Sequence, residues 1–349
     1  MPDCHRIAPC LTRLWYRRQL AFSLLPLLPL SWLFRLMVWV RYALYRCGVL
    51  RSYRLPVPVI VVGNLTVGGS GKTPLVLWLV DRLRELGWRP GIVSRGYGGA
   101  AAGVQSVGVA SDVAVVGDEP LLLARRAGVP VSTGRDRVAA GQALLAGHPE
   151  CNVIVSDDGL QHYRLQRAVE IAVFDGRGPG NSRLLPVGPL REPLRRLSRV
   201  TAVVWNSAPP GQGKEAGSDL PKFEMRLVGQ RFHSLLDARR FCAAEDLHGK
   251  RLFAMAGIGD PNRFFAHLKA LGLEFEAHAF PDHHEYKAAD LAFAREGVLL
   301  MTEKDAVKCA ALASGVAWVL PVEAQIVSAS SGPTLLDIIL EKLDGRALA

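Results

Sequence analysis

The sequence predicts an α/β protein in three parts: an N-terminal membrane-associated helical segment, a domain built on a parallel sheet, and a smaller α/β domain. A nearly uncharged apolar stretch close to the N-terminus predicts the first part. Through residues 55–207, short β-branched apolar runs alternate with helical patterns, and a similar alternation follows a segment rich in Gly and Pro. The chain has 349 residues, 49% of them hydrophobic, which is enough for two packed domains.

The N-terminal segment, residues 1–54, concentrates both charge and hydrophobicity. It contains nine Arg, one Asp, no Lys and no Glu, so it holds +8 of the net charge of +10. Residues 19–40 carry one charge, Arg35, and are long enough to span a bilayer as a helix, which Pro26 and Pro29 would kink. Basic residues beside an apolar stretch favour a membrane surface as partner, whereas a nucleic-acid-binding protein spreads its basic residues over a folded domain.

Two other interpretations of this segment are a buried helix of a soluble core and a signal peptide. The signal peptide fits poorly, because no small-residue cleavage site follows the apolar run and arginines follow at once. Arginines flank the run on both sides, so its orientation, and the choice between a single span and monotopic attachment, stay open. The six Cys include no C-x-x-C pair, which argues against a disulfide framework or a structural zinc site.

A strand, a glycine-rich loop and a helix are predicted in succession over residues 57–86. The strand is expected at 57–62 (VPVIVV), and Pro74 suits the first turn of the helix. The nucleotide-binding residues expected in the loop are Thr66, Val67, Gly68, Gly69, Ser70, Gly71, Lys72 and Thr73. In a P-loop, backbone N–H groups hold phosphates, the lysine reaches the β- and γ-phosphates, and the Ser or Thr hydroxyl binds Mg²⁺, so the expected cofactors are ATP and Mg²⁺. Thr66 departs from the strict pattern, which has Gly there.

Two sets of acidic residues follow apolar runs. Residues 152–156 predict a strand that is followed by Asp157 and Asp158 and lies next to the P-loop. At this position of a P-loop protein one carboxylate holds Mg²⁺. The second acid can orient water, a base or a neighbouring side chain. Asp118 follows the run Val113–Val116, which we expect to be a strand ending at the same sheet edge. Asp118 is therefore the leading candidate for a general base at this edge, and Asp158 competes for that role.

Several motifs carry a family resemblance. Residues 63–74 (GNLTVGGSGKTP) resemble the P-loop of the tetraacyldisaccharide 4′-kinases, the lipid A 4′-kinases, in which the first position is commonly Thr or Ser, so Thr66 agrees with the family. Further similar motifs are 94–98 (SRGYG), 116–120 (VGDEP), 156–162 (SDDGLQH), 185–193 (LPVGPLREP), 280–286 (FPDHHEY) and 302–308 (TEKDAVK). The resemblance covers essentially the whole chain, including the apolar N-terminus.

The resemblance implies an ATP-dependent kinase with an alcohol acceptor. Such an enzyme transfers the γ-phosphate to the 4′-hydroxyl of tetraacyldisaccharide 1-phosphate and makes lipid IVA in lipid A (lipopolysaccharide) biosynthesis. It also implies a P-loop NTPase-like first domain, closed over the nucleotide by a smaller α/β domain, at the cytoplasmic face of the inner membrane of a Gram-negative bacterium. The expected partners are the lipid substrate and the membrane surface, with no nucleic acid and no obligate protein partner.

The resemblance also suggests roles for residues outside the P-loop. It pairs Asp118 with His283 as a carboxylate–imidazole base and places Glu192 near the metal. The predicted catalytic residues are thus Lys72, Asp118, Asp158 and His283, and the predicted metal ligands are Thr73, Asp157 and Glu192. The division of labour among Asp118, Asp157 and Asp158 stays open, as do the acyl-chain preference and the oligomeric state.

Four further features receive weaker interpretations. Residues 176–199 contain six Arg against Glu192, a net charge of +5, which favours a loop that binds an anionic substrate. His162 fits a ligand contact and a core histidine equally well. Residues 282–285 (DHHE) look like metal ligands, but consecutive residues of one loop rarely converge on one ion. Residues 302–305 (TEKD) are assigned to the nucleotide-facing or hinge surface of the second domain.

The predicted organisation is a membrane segment at 1–54, a P-loop kinase domain at 55–207, a linker at 208–221 and a smaller domain at 222–349, whose terminal helix (333–343) can pack back on the kinase domain. Strands are expected near 57–62, 90–94, 129–132, 152–156, 169–175, 200–205, 251–256, 274–279, 297–301 and 316–320. A membrane GTPase or metallocofactor-maturation protein would need an N-K-x-D motif, which the sequence lacks. An ATP-gated membrane adaptor would bind nucleotide without turnover on a lipid.

Overall fold

A nine-stranded sheet forms the larger part of the molecule, a computed structural model that describes residues 11–17, 19–207, 220–312, 315–327 and 332–347. Its strands are β1 (Val59–Gly63), β2 (Pro90–Ser94), β3 (Gln105–Val107), β4 (Val131–Thr133), β5 (Val153–Asp157), β6 (Val169–Asp175), β7 (Ala202–Asn206), β8 (Lys222–Val228) and β15 (Glu323–Val327). Their order is β15-β8-β7-β6-β1-β5-β2-β4-β3. The neighbours pair in parallel except for the two edge strands, β3 and β15.

Both faces of this sheet are covered. Alternate residues of β1 enter different cores, Ile60 and Val62 on one side and Val59 and Val61 on the other. This explains why the strand is a continuous apolar run, as expected for a parallel strand buried on both faces. The helices of this part are α2 (Lys72–Glu85), α3 (Val113–Val116), α4 (Asp118–Ala127), α5 (Arg137–Gly147) and α8 (Leu335–Ala347).

A second sheet of six strands lies beside the first, in the order β10-β9-β14-β13-β11-β12. Its strands are β9 (Arg231–Ser234), β10 (Phe241–Ala243), β11 (Leu252–Ala256), β12 (Glu276–Ala279), β13 (Val298–Thr302) and β14 (Val316–Leu320). Its helices are α6 (Pro261–Ala270) and α7 (Glu303–Cys309), and an apolar core lies on each face. The predicted P-loop-type α/β fold with a smaller α/β part is thus confirmed.

The two sheets do not divide at the expected boundary of residue 222. Strands β8 and β15 extend the first sheet, and the apolar side of α8, including Leu335 and Ile339, packs into its core. The chain therefore passes to the second sheet after β8 and returns before β15. The two crossings touch, since a β-carbon on Gly229 would lie 2.3 Å from the carbonyl oxygen of Pro321. Of the predicted linker 208–221, residues 208–219 lie outside the described residues.

The run Val113–Val116, expected to be a strand, is instead the short helix α3. The Asp112 side chain caps this helix by accepting a hydrogen bond from the Ala114 N–H (2.9 Å), which favours a helical turn over four β-branched or small residues. Gly117 then reverses the backbone at φ +91°. The expectation for this run was therefore wrong, and Asp118 begins helix α4 rather than following a strand.

The apolar N-terminal stretch forms a 3-10 turn at Phe22–Leu27 and then helix α1 (Leu28–Arg46). Pro26 lies in the turn and Pro29 in the first turn of α1, so neither interrupts the helix interior. Residues 22–46 are long and apolar enough to cross a membrane, and only 11% of the most apolar window is buried. That exposure is the opposite of what a core helix of a soluble protein requires.

Candidate active site

The P-loop connects the central strand β1 to helix α2. Gly68 and Gly71 have φ of +96° and +85°, a region that side chains other than glycine rarely occupy. The Asn206 amide, at the end of β7, donates to the carbonyl oxygen of Ser70 (3.0 Å) and lies so close that a β-carbon on Gly71 would meet it at 2.0 Å. The loop is therefore braced by a neighbouring strand.

Thr66 needs no glycine conformation. It is buried and forms a β-bridge with Leu190, while the next N–H, that of Val67, donates to the carbonyl oxygen of Pro189 (2.9 Å). The segment that precedes the tight part of the loop is thus held as extended backbone. This explains physically why the strict glycine pattern can be broken at this position.

Lys72 begins α2, and its ammonium group faces two side chains. It lies 3.5 Å from Asp158 Oδ1 and donates to Asn64 Oδ1 (3.4 Å). Asn64 in turn donates to the carbonyl oxygen of Gly68 (3.0 Å). Lys72 is therefore held over the glycine-rich loop, where a P-loop lysine reaches phosphate oxygens.

Asp157 ends β5 opposite Val62 of β1, so it lies beside the P-loop as expected. It is completely buried, and its Oδ1 has no hydrogen-bond partner among the described residues. Burial, together with the negative charge of Glu119, raises the pKa of Asp157 to about 7 despite the nearby Lys72. A buried carboxylate with a free oxygen beside a phosphate-binding loop fits a cation ligand.

Asp158 has different surroundings from Asp157. Its backbone has φ +49°, and its carboxylate lies between Lys72 (3.5 Å) and Arg191 (3.3 Å). Burial raises the pKa of Asp158, but the positive charges of Lys72, Arg191 and Arg137 outweigh it and lower the pKa to about 2. Asp158 is thus a permanent anion that balances the P-loop lysine, and the structure does not bring it to His283.

Glu192 is buried but held mainly by residues outside the P-loop. Tyr163 donates to its Oε1, Gln161 donates to its Oε2 (3.2 Å), and Arg196 lies 3.9 Å away. Burial raises the pKa of Glu192. Gln161 also donates to the carbonyl oxygen of Asn64 (3.1 Å), which links Glu192 to the start of the phosphate-binding loop.

Asp118 and His283 meet across the two sheets. His283 Nδ1 lies 3.0 Å from Asp118 Oδ2 and 3.2 Å from Oδ1, so it donates to the carboxylate and leaves Nε2 as the acceptor. Burial raises the pKa of Asp118, but the hydrogen bond from His283 and the charges of Lys304 and Lys308 outweigh it and leave the pKa below its usual value. His283 has φ +60°, and the Tyr97 ring packs against it (centroids 4.8 Å apart).

A cavity of about 700 Å³ separates the P-loop from the second sheet. Its walls include Lys72, Thr73 and Glu119 on one side and Arg263 and Lys304 on the other. Lys304 donates to Asp282 (3.0 Å) and Glu119 (3.2 Å) and lies 3.4 Å from His283 Nε2, so the cavity reaches the Asp118–His283 pair. Thr302, Glu303 and Lys304 line this cavity, and the assignment of residues 302–305 to a nucleotide-facing or hinge surface stays a prediction.

Sequence reasoning missed Asn206 and Arg263. Arg263 donates to Asn206 Oδ1 (2.6 Å), so the residue that braces the P-loop is itself held by the second sheet. Asn206 could have been found, because it ends a predicted strand in the same way as Asp157. Arg263 could not, since nothing in the sequence shows that α6 faces β7.

The arginine-rich segment 176–199 and the histidines His162 and His284 make contacts within the protein. Three of the six arginines in 176–199 pair with acidic residues of the first sheet and its loops (together with its helices, the first sheet unit), namely Arg177 with Asp175, Arg191 with Asp158 and Arg196 with Glu170. His162 accepts a hydrogen bond from the Arg137 N–H (3.3 Å). His284 lies between Phe280 and Tyr286 and pairs with Asp290. Within the described residues, no group of three His, Cys, Asp or Glu residues is arranged to hold a metal ion.

A parallel sheet, a glycine-rich loop after its central strand, a lysine at the start of the next helix and an acid on the neighbouring strand together define a P-loop nucleotide-binding protein. Comparison with known proteins identifies which family of this class is present. A family model described as tetraacyldisaccharide-1-P 4′-kinase (LpxK) matches residues 23–343, and the chain belongs to this family.

Relatives and a solved structure agree with that membership. The chain is 54% identical over 347 residues to a tetraacyldisaccharide 4′-kinase of Dechloromonas aromatica (strain RCB), covering 98% of this chain and all of the relative. It is 54% identical over 321 residues to that of Azoarcus sp. (strain BH72), covering 91% of each. LpxK from Aquifex aeolicus, solved in complex with ATP, superposes with a TM-score of 0.77 at 32% identity and covers 92% of this chain and all of its own. The resemblance inferred from the motifs is confirmed.

Proposed function

We propose that the protein is an ATP-dependent kinase that phosphorylates the 4′-hydroxyl of tetraacyldisaccharide 1-phosphate to make lipid IVA. The observation that carries this proposal is the Asp118–His283 pair at the end of the P-loop cavity. A P-loop alone fits many nucleotide-binding proteins, but a carboxylate-oriented imidazole beside it is suited to accept a proton from an alcohol. Membership of the family supplies the identity of that alcohol.

The chemistry is assigned to the chain's own side chains as follows. The acceptor 4′-oxygen attacks the γ-phosphorus, the bond from that phosphorus to the bridging oxygen breaks, and ADP leaves with the bonding pair. The hydroxyl proton passes to Nε2 of His283, because Nδ1 already donates to Asp118. Asp118 stabilises the imidazolium that results. Lys72 and the loop N–H groups neutralise the phosphates, and Arg191 with Lys72 keeps Asp158 ionised.

Mg²⁺ fits the residues beside the P-loop. Asp157 presents a buried carboxylate of which one oxygen has no hydrogen-bond partner among the described residues, and Thr73 lines the cavity beside the P-loop. We assign Asp157 and Thr73 as the ligands that hold the ion, with Glu192 placed to support them through Gln161. Bound Mg²⁺ would supply positive charge to the β- and γ-phosphate oxygens.

The membrane-facing part is assigned to α1 and the turn before it. The exposed apolar side chains of 22–46 and the arginines around them suit a bilayer surface with anionic headgroups. ATP is a cytoplasmic substrate, so we infer attachment at the cytoplasmic face of the inner membrane. A lipid acceptor then meets the enzyme without leaving the membrane.

Transfer of labelled γ-phosphate to tetraacyldisaccharide 1-phosphate in mixed micelles tests the proposal. We expect wild-type protein to produce the bisphosphate, and Lys72→Ala and Asp118→Asn to lose transfer while remaining folded. Asp81→Asn on the exposed side of α2 is the matched control and should keep full activity. Folded, ATP-binding wild type without lipid transfer would instead favour the ATP-gated adaptor.

A further inference from the structure

The second sheet supplies a buried lysine whose role the kinase mechanism above does not use. Lys308 lies on α7, one turn after Lys304, so the two ammonium groups project from the same side of the helix. That side faces α4, where Asp118 is the first residue. Lys308 Nζ lies 3.8 Å from Asp118 Oδ2, and Lys304 Nζ lies 3.9 Å from the same oxygen.

Lys308 is unusual because it is buried without a hydrogen bond. Only 10% of its side chain is exposed, and its ammonium group finds no hydrogen-bond partner in the described part of the chain. It lies 3.4 Å from Asp305 Oδ1 without hydrogen-bond geometry and 5.0 Å from the centre of the Tyr286 ring. A buried cation of this kind is costly, so it needs a compensating anion.

Asp305 is not short of partners and does not need this lysine. It is completely buried and accepts hydrogen bonds from the Gly257 N–H (3.1 Å), the Tyr286 hydroxyl (2.9 Å) and the Thr302 hydroxyl (2.6 Å). These three donors satisfy both carboxylate oxygens. The Lys308 ammonium therefore lies between two carboxylates, Asp305 at 3.4 Å and Asp118 at 3.8 Å. Asp305 is already held by its three donors, whereas Asp118 is the carboxylate of the assigned base.

We propose that Lys308 is a positioning residue for the phosphoryl-transfer reaction, which holds Asp118 ionised and aimed at His283 from across the two sheets. This inference rests on the proposed function, because it acts through the assigned base. Lys308 is not among the described residues that line the cavity beside the P-loop. The charged groups that act on Asp118 are His283, Lys304 and Lys308. Lys304 is shared with Glu119 and Asp282, and Lys308 is shared with Asp305.

Removal of this charge has a characteristic effect on the pH dependence. An opposite charge at about 4 Å lowers the pKa of a carboxylate by about 1 to 3. Without Lys308, the Asp118–His283 pair takes up a proton more readily, so the acidic limb of kcat/KM moves to higher pH. Activity should recover once the pH exceeds the new limb, because the pair itself remains intact.

The test is the pH profile of kcat/KM for the lipid acceptor at saturating ATP, measured for wild type, Lys308→Met, Lys308→Gln and Lys308→Arg. We expect both neutral variants to move the acidic limb upward by about one pH unit or more, and Lys308→Arg to keep the wild-type limb. Titration of His283 followed by NMR should move in the same direction. Urea unfolding and ATP affinity, measured alongside, show whether each variant is folded, and two neutral variants guard against one that is not.

The outcomes separate this inference from the function beneath it. An equal loss at every pH, or no change at all, in folded neutral variants would overturn the role of Lys308 while leaving the kinase assignment intact. Wild type that transfers no phosphate to the lipid, or Asp118→Asn with full activity, would overturn the proposed function and this inference together.

Discussion

Membrane attachment through the exposed face of α1 yields a prediction whose size follows from the structure. Trp32, Leu36 and Trp39 are spaced on one face of the helix and are 63%, 53% and 53% exposed. Full burial of a large apolar side chain contributes about 1.5 to 3 kcal/mol. The part of each side chain still in water is therefore worth about 1 to 2 kcal/mol, or about 3 to 5 kcal/mol for the three together.

The variant to make is the triple substitution of these residues by Ser. Since each 1.4 kcal/mol is a factor of ten, we expect binding to vesicles of mixed zwitterionic and anionic lipid to weaken by about a hundredfold to a few thousandfold. Flotation of the vesicles on a density gradient measures the bound fraction. ATP affinity and the free energy of unfolding should stay near wild type, because none of the three side chains belongs to a core.

Leu236 provides the matched control. It is 70% exposed in the turn between β9 and β10, so Leu236→Ser removes a comparable exposed side chain from the second sheet unit. We expect this variant to bind vesicles like wild type. The reasoning is refuted if the triple variant binds within fivefold of wild type, or if the Leu236 variant loses as much binding as the triple variant does.

Three further predictions concern the site. Gly71→Ala should weaken ATP binding more than tenfold in calorimetry, because the new β-carbon would lie 2.0 Å from the Asn206 amide nitrogen. The control is Gly87→Ala, which has a similar φ of +83° and open space around it. This variant should lower the free energy of unfolding and leave ATP binding unchanged. Asp157→Asn should abolish Mg²⁺-dependent transfer, yet urea titrations should show the variant to be more stable than wild type above pH 7. Because the folded-state pKa of Asp157 is raised to about 7, the free energy of unfolding of wild type declines as the pH rises through that pKa. A variant whose free energy of unfolding keeps this pH dependence would contradict the assignment. His162 has a folded-state pKa lowered to about 4, so the unfolded chain binds the proton first and wild type loses stability as the pH falls from about 6.5 toward 4. His162→Gln should not show this loss. The unfolding midpoints at pH 7 and pH 5 should therefore differ more in wild type than in the variant.

The parallel strands of the first sheet were predictable because each is a continuous apolar run with a clear end. Strands β2 and β6 begin and end at the expected residues, and the glycine-rich loop follows β1 as its pattern requires. Strands β8 and β15 were not recognised as part of this sheet. β15 is the edge strand and β8 lies next to it, and both have partly exposed, alternating side chains. The pairing of β15 with β8 joins chain segments almost one hundred residues apart.

The residues of the site likewise include some that a local sequence pattern predicts and others that only the packing of the two sheet units brings close. Lys72 and Asp157 follow from local pattern, since a P-loop and a strand end position them within one sheet. The two lysines beside Asp118 do not, because Lys304 and Lys308 come from the second sheet unit and only the packing of α4 on α7 brings them close. His283 was expected beside Asp118 from the family resemblance, not from a local pattern. A charge pattern in one helix cannot show which carboxylate on a different unit it faces.

The two residues of the proposed base come from different sheet units, so we expect the reaction to start only when the units are in contact. Asp118 belongs to the first sheet unit and His283 to the second, and the units also touch where a β-carbon on Gly259 would lie 2.5 Å from the backbone nitrogen of Gly69 in the P-loop. The same approach that brings the second unit onto the phosphate-binding loop therefore brings the imidazole to its carboxylate. We infer from the proposed assignment that separation of the units would take the acceptor from Nδ1 and the charges of both lysines from Asp118, so we expect the base to be complete only when the cavity is closed. We therefore expect water that enters an open site to meet no oriented base, which would limit hydrolysis of ATP before an acceptor is in place.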